Sequence, residues 1–161
     1  MTTNRILDKL GASTAFTITL AGLASSTGGV GRQSDMIDNS ALKEMWVRIF
    51  VKLTQGTNPT SNKGGYVYLL LGDDNATPHR TDGAGASDAA ITIQNAVPIM
   101  TMRNDSSAAT GEIIMGEALV RIAAPEWGIA IVHDTGVNLD ADAGDHWARY
   151  MLVGPDIQAA A

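Results

Sequence analysis

The stretch "EMWVRIFVKL", residues 44–53, sorts its side chains by a period of two. Met45, Val47, Ile49, Val51 and Leu53 share one parity, and Trp46, Arg48, Phe50 and Lys52 share the other. Successive side chains of a strand point to opposite faces, so the first set forms an unbroken apolar face suited to a core. A helix is disfavoured, because β-branched and aromatic residues crowd the segment and lose rotamer freedom in helical geometry. The stretch is read as a strand with one face buried.

The same reading extends outward. "AFTITLAGL" (residues 15–23) alternates Phe16, Ile18 and Leu20 with threonines, the mark of a half-buried strand. "YVYLLL" (66–71) follows the loop "TQGTNPTSNKGG" and is expected to be the hairpin partner of 44–53. Further strands are expected at "VPIMTMR", "GEIIMGEALVRI", "WGIAIVHD" and "HWARYMLVG", with a weaker one around residues 31–37. "GDDNATPHRTDGAGASDAA" (72–90) has no apolar period and reads as irregular. Residues up to Leu10 are expected as a short helix or a loose arm. Strands this short, separated by turn-formers and without a long helix, predict an all-β chain. The expectation is one domain over residues 1–161, a β-sandwich or jelly roll of seven to eight antiparallel strands. An N-terminal arm (1–13) and a C-terminal tail (155–161) flank it.

Composition narrows the functional classes. The chain has no cysteine, so disulfides, thiolate metal sites and cysteine nucleophiles are excluded. Its net charge of −6 comes from scattered acidic residues and does not favour free nucleic acid as a partner. Charges interrupt the apolar residues of "MTTNRILDKLGAS", which is not the pattern of a signal peptide. No apolar run approaches the roughly 20 residues that span a bilayer, so no membrane role is expected.

Several motifs suggest chemistry and fail on closer reading. "IVHDTG" (131–136) resembles the catalytic loop of aspartic proteases, which need two carboxylates sharing one proton. In a chain this short the second would have to come from a homodimer. Val137 follows the glycine where those enzymes carry a small residue, so a strand running into a turn is the better reading. The acidic loop "NLDADAGDHW" offers Asn138, Asp140, Asp142 and Asp145 as oxygen donors for calcium. It fits no EF-hand register, and an acidic solvated turn is expected instead. His79, His133 and His146 match no zinc spacing. "STGGVGR" and "DGAGASD" lack the strand–loop–helix context of a phosphate cradle. No catalytic, cofactor or metal residue is assigned, and the chain is not expected to be an enzyme. Trp46, Trp127 and Trp147 lie on strands or strand entries, where aromatics fill a core or an interface or stack on a sugar ring.

The runs "GGVGRQSDMIDNS", "VRIFVKLTQGTNPTSNKGGYVYLLLGD", "RTDGAGASDAA" and "EWGIAIVHDTGVNLDADAGDHWARY" resemble small β-sandwich virion proteins encoded among the structural genes of tailed bacteriophages. The resemblance extends from about Phe16 to Tyr150 and is to the head-decoration, or cement, type. It implies a non-enzymatic jelly roll made in the host bacterial cytoplasm and carried on the capsid surface. It further implies self-association, as a trimer, and the major capsid protein as partner. Arg32, Trp46, Arg48, His79, Arg80, Trp127 and Trp147 are the candidate interaction residues. The alternative is a tail- or fibre-associated module that recognises a host surface glycan.

Overall fold

The computed structural model describes residues 5–41, 44–73 and 79–158. Eleven strands make up the fold: β1 (Arg5–Leu10), β2 (Thr14–Ala15), β3 (Val30–Gln33), β4 (Ile37–Asp38), β5 (Trp46–Thr54), β6 (Gly64–Gly72), β7 (Ala89–Thr92), β8 (Val97–Arg103), β9 (Ile113–Arg121), β10 (Glu126–His133) and β11 (Trp147–Gln158). They form two antiparallel sheets. The first runs β1-β11-β5-β9, with β2 also on β11; the second runs β7-β3-β10-β6-β8, with β4 also on β10.

The pairing is nested. The first strands pair with the last (β1 and β2 with β11), then β3 with β10, β5 with β9, and β6 with β8. An antiparallel ribbon rolled up in this way is a jelly roll, and its two sheets bury their inner faces against each other. The strand total exceeds the expected seven to eight because β2, β4 and β7 are short pieces at edges and kinks. Residues 34–36 separate β3 from β4: Ser34 N–H donates to Ile129 O at 2.9 Å and its hydroxyl accepts from Ile129 N at 3.1 Å. One weak sequence signal thus became two strands.

The inner face follows the period-two reading. Val47, Ile49, Val51 and Leu53 are fully buried, together with Val67, Ile129, Ile131 and Ile122. Met45, placed on the same parity, precedes β5 and is exposed, because the strand and its cover begin one residue later. Phe16, Trp127 and Tyr150 make an aromatic cluster, with centroids 4.9–5.6 Å apart and two of the three pairs edge-to-face. Trp127 is therefore a core residue at 0% exposure, and its candidacy as an interaction residue is withdrawn.

Three expectations about connectivity are corrected. β6 is not the hairpin partner of β5. It lies in the second sheet between β10 and β8, while β5 pairs with β11 and β9. The intervening loop crosses between the sheets and is fixed by buried amides, with Asn104 Nδ2 donating to Gln55 Oε1 at 3.1 Å and to Thr60 O at 2.8 Å. Residues 16–20 are not a strand either, although Phe16 and Leu20 are buried as their alternation predicts. This segment also crosses between sheets: Phe16 N–H donates to Ala148 O in the first, and Thr17 O accepts from Asp35 N–H beside the second. Of the expected N-terminal arm, residues 5–10 form neither a helix nor an isolated arm, and of the expected C-terminal tail, residues 155–158 belong to β11; residues 1–4 and 159–161 lie outside the described residues. From Arg5, β1 pairs with β11 in the register Arg5↔Gln158 to Leu10↔Val153. β5 meets β11 only from Trp147 to Val153, so beyond that point β1 and the end of β11 continue as a two-stranded ribbon.

Candidate functional site

Both sheets carry apolar residues on their outer faces, and they treat them differently. Outside the second sheet, Leu70 of β6 and Ala130 of β10 are fully buried. They pack with Ala84, Ile91 and Ala96, and with the half-buried Met36, Tyr68 and Ile93, as a second small core. The cover comes from the chain itself, in the segment between β6 and β8. Asp82 pins it: one carboxylate accepts from the N–H groups of Gln94, Asn95 and Ala96 at 3.1, 2.8 and 2.9 Å. Some burial opposes its charge, but these three donors hold its pKa below the usual carboxylate range.

Two candidate interaction residues tie this segment to the strands of the second sheet. Arg32 Nε donates to Asp88, whose carboxylate also accepts from the Thr19 hydroxyl. Arg80 Nε donates to Glu126 Oε2 at 2.7 Å with little of its side chain exposed. Both cations tie the covering segment to the sheet; Arg80 is largely buried, and the side chain of Arg32 is 30% exposed. His79 is exposed, with Nδ1 3.1 Å from an Asp73 carboxylate oxygen, at the edge of the described segment and apart from any cluster.

The first sheet has no such cover among the described residues. Register sets its outer face in rows. Leu10, Val153, Trp46 and Arg121 lie across one row, then Met151, Arg48 and Leu119. Arg149, Phe50 and Glu117 follow, then Trp147, Lys52 and Met115. Met115, Leu119 and Trp46 are 60%, 54% and 44% exposed, and Leu10 and Ile113 are also more than half exposed. Contiguous exposed apolar side chains of this kind are a general feature of surfaces that take part in interactions.

The charges on this face run against the rest of the chain. Among the residues whose side chains are described, Arg48, Lys52, Arg121 and Arg149 share it with the carboxylate of Glu117. Removing these from the totals of 11 basic and 17 acidic residues leaves seven basic and sixteen acidic residues elsewhere. Arg48 Nη1 approaches Glu117 Oε1 at 3.8 Å, while Arg48 Nε is buried without a hydrogen-bond partner. Lys52, Arg121 and Arg149 make no ion pair among the described residues. Trp46, Arg48 and Trp147 are thus the candidates that the fold brings together. Phe50 and Lys52, on the outer parity of β5, join Met115, Leu119, Arg121 and Arg149 on the face, and none of the six was among the candidates. A signal for them exists: "GEIIMGEALVRI" and "HWARYMLVG" carry large apolar residues on both parities, where a sheet facing water on one side needs them on one.

The catalytic motifs resolve into turn chemistry. Asp134 Oδ1 accepts from Gly64 N–H at 2.9 Å, and Oδ2 lies 3.2 Å from Lys63 Nζ and 3.3 Å from Tyr66 Oη. Partial burial disfavours the charge, yet the Gly64 N–H and the Lys63 ammonium keep its pKa low. Gly136 takes φ +81°, and a Cβ there would fall 2.6 Å from Thr60 Oγ1. "DTG" is thus a turn that fastens the start of β6. His133 is fully buried, with Nε2 2.8 Å from Leu23 O and Nδ1 3.0 Å from Thr135 Oγ1. His146 accepts from Thr54 N–H and faces Asp140 O. In the acidic loop Asp140 and Asp142 each accept from an N–H two residues on, at 2.8 Å. Among the described residues no three His, Asp or Glu side chains converge as metal ligands.

No known protein family matches the chain, and no curated protein matches it.

Proposed function

We propose that this chain is a non-enzymatic structural protein of a tailed-bacteriophage virion, a capsid decoration (cement) protein that binds the major capsid protein and neighbouring copies. One observation carries the reading: the outer face of the first sheet is apolar and basic and lies open among the described residues, while the chain itself covers Leu70 and Ala130 on the equivalent face of the second sheet. A protein that acts by being built into an assembly needs a rigid body with one adhesive side, and a jelly roll with one finished and one unfinished face has that form. The sequence runs that resemble virion proteins agree with it. So does the engagement of Asp134, His133 and His146 in local hydrogen bonds, which leaves each a structural role.

The glycan-binding alternative is less well supported. Sugar platforms set aromatic rings beside carboxylate and amide groups that hydrogen-bond hydroxyls. Here Trp127 is buried, and Trp46 and Trp147 lie among cations and aliphatic side chains with one carboxylate on the face.

Quantitative mass spectrometry of purified virions from the source phage tests the proposal. The expected result is a copy number comparable with that of the major capsid protein. A few copies per particle would move the protein to the tail and favour the glycan reading. Absence from the particle would overturn the virion role.

A further inference from the structure

Resting on the capsid-binding reading, we propose that the free edge of β9 accepts a strand from the major capsid protein. An extended segment of that partner pairs with β9 and adds to the first sheet. The backbone points to it. In an antiparallel pair both the N–H and the C=O of a residue face the same side, and successive residues alternate between partner and open edge. Gln55 N–H donates to Glu112 O and Ile122 N–H to Met45 O, each at 2.8 Å, and both pairs continue the β5–β9 register. Even-numbered residues of β9 are thus bonded to β5. Ile113, Met115, Glu117, Leu119 and Arg121 turn their N–H and C=O groups the other way. β9 ends its sheet, and no other segment hydrogen-bonds these groups among the described residues.

The strands that end the other sheet edges are protected against such pairing, and β9 is not. β7 has four residues, and β1 carries the charges of Arg5, Asp8 and Lys9. β8 contains Pro98, which has no N–H to offer, and its pairing with β6 shifts register between Val67 and Tyr68. Short length, charge, proline and bulges are the usual means of blunting an edge. β9 has nine residues, no proline and an unbroken register with β5 from Ile113 to Arg121. At about 3.4 Å per residue it offers an edge of about 30 Å. The same five residues turn their side chains to the open face, where Ile113, Met115 and Leu119 are 51%, 60% and 54% exposed. An added strand sets its alternate side chains beside them, so the segment that fits is apolar at every second position. Arg121 makes no ion pair among the described residues and calls for a carboxylate beside it. In pairing of this kind the main-chain bonds supply affinity and the alternate side chains supply specificity.

The test separates backbone from side chain at one position of the full-length protein. Glu117→Pro deletes an edge N–H and leaves the β5 ladder alone, whereas Glu117→Ala removes the carboxylate and keeps the N–H. Proline is tolerated on an edge strand with its nitrogen facing out, so Glu117→Pro should fold, and melting temperature checks it. Binding is measured by co-sedimentation with empty shells assembled from the major capsid protein alone. Glu117→Ala should bind within about twofold of the parent, and Glu117→Pro should lose at least about tenfold in affinity. Hydrogen exchange of the shell-bound parent is then read by mass spectrometry on peptides covering β9. The amides of Ile113, Met115, Glu117, Leu119 and Arg121 should gain protection that the free protein lacks.

A folded Glu117→Pro that binds like the parent overturns the inference and leaves the capsid-binding reading standing. Equal losses in the alanine and proline variants would assign the contact to the Glu117 carboxylate and also overturn it. Should the proline variant unfold, exchange decides: no added protection of β9 in the shell-bound parent overturns strand addition. A parent that does not sediment with the shells overturns the capsid-binding reading and the inference together. Protection of the same amides in concentrated protein without shells would assign the edge to a second copy, which likewise overturns it.

Discussion

The outer faces of the two sheets start from the same problem and reach different solutions. On the second sheet the outward-facing Leu70 and Ala130 find a cover in the segment between β6 and β8. On the first sheet Met115, Leu119, Trp46 and Leu10 have no equivalent among the described residues. The covering segment is held by specific polar contacts: Asp82 to three N–H groups, Arg32 to Asp88, Arg80 to Glu126, and Gln33 to the backbone of Gly85 and Ser87. Long irregular segments are entropically costly to order, and this density of ties is what fixes one. The contrast shows that an apolar outer face is not by itself an interface signal. What matters is whether the chain supplies its own lid.

The comparison breaks most severely from the inside. Ile49 lies at the centre of the shared inner face at 0% exposure, so Ile49→Asp puts an unpaired charge in the core. A loss of about 4 kcal/mol or more is expected, enough to unfold many domains of this size. Urea denaturation checks it, and a variant with parental stability would show that β5 is assigned to the wrong face. The adjacent Arg48→Ala should keep the fold, since Arg48 points outward and its one ion pair is long and exposed.

Asp82→Ala probes the second sheet's lid. It removes the acceptor of three backbone N–H groups. The expected cost is about 2 kcal/mol, partly recovered by water at the exposed amides. The effect should be local. Amide exchange should accelerate at Gln94, Asn95 and Ala96, and an apolar dye should begin to bind as Leu70 and Ala130 lose cover. If exchange at those amides does not change, Asp82 does not hold the segment.

The difference between the faces also shows what was legible in sequence. β5 carries a run whose parity decides its inner face, because period two is a local property, whereas β9 and β11 carry large apolar residues on both parities. Hairpin partners are not local. "YVYLLL" followed 44–53 in sequence and landed in the opposite sheet, because the buried Gln55–Asn104 contact turns the chain across the sandwich. The roles of Arg32 and Arg80 were hidden for the same reason: their partners, Asp88 and Glu126, lie 56 and 46 residues away. Trp127 looked like Trp46 by residue type, and only the position of Phe16 and Tyr150 made it core. Of the open face, Trp46, Arg48 and Trp147 were found as single residues. Its extent depended on the β5–β9 and β5–β11 registers, which no single strand specifies.

Acid should act on the inner side and leave the contrast intact. Burial is the main cause that lowers the pKa of His133, and the nearby His146 adds to it, while the Leu23 carbonyl and the Asp134 charge oppose them. A histidine depressed in the folded state binds its proton more readily when unfolded. Its contribution to stability is thus complete above the unfolded value of about 6.5 and is lost as pH falls below it. The slope cannot exceed one proton, or about 1.4 kcal/mol per pH unit. Thermal melts should therefore be level between pH 7 and 8 and decline from about pH 6 downwards, before the depressed carboxylates of Asp82 and Asp134 titrate in stronger acid. A flat profile from pH 7 to 5 would mean that His133 opens to water more readily than its contacts suggest.

The smallest effect is the one that best defines the open face. Leu119→Ser removes a large apolar side chain from β9, and in a buried setting such a change costs several kcal/mol. At 54% exposure Leu119 keeps half its surface in water even when folded, so the monomer loses little of its burial. The expected change in unfolding free energy is within about 0.5 kcal/mol, measured on dilute protein where assembly does not contribute. The same substitution measured at high concentration should show a larger difference, because an interface would bury what the monomer leaves open. Equal and small effects at both concentrations would mean that nothing covers Leu119 in solution. A large effect in dilute protein would mean that the first sheet, like the second, has a lid of its own.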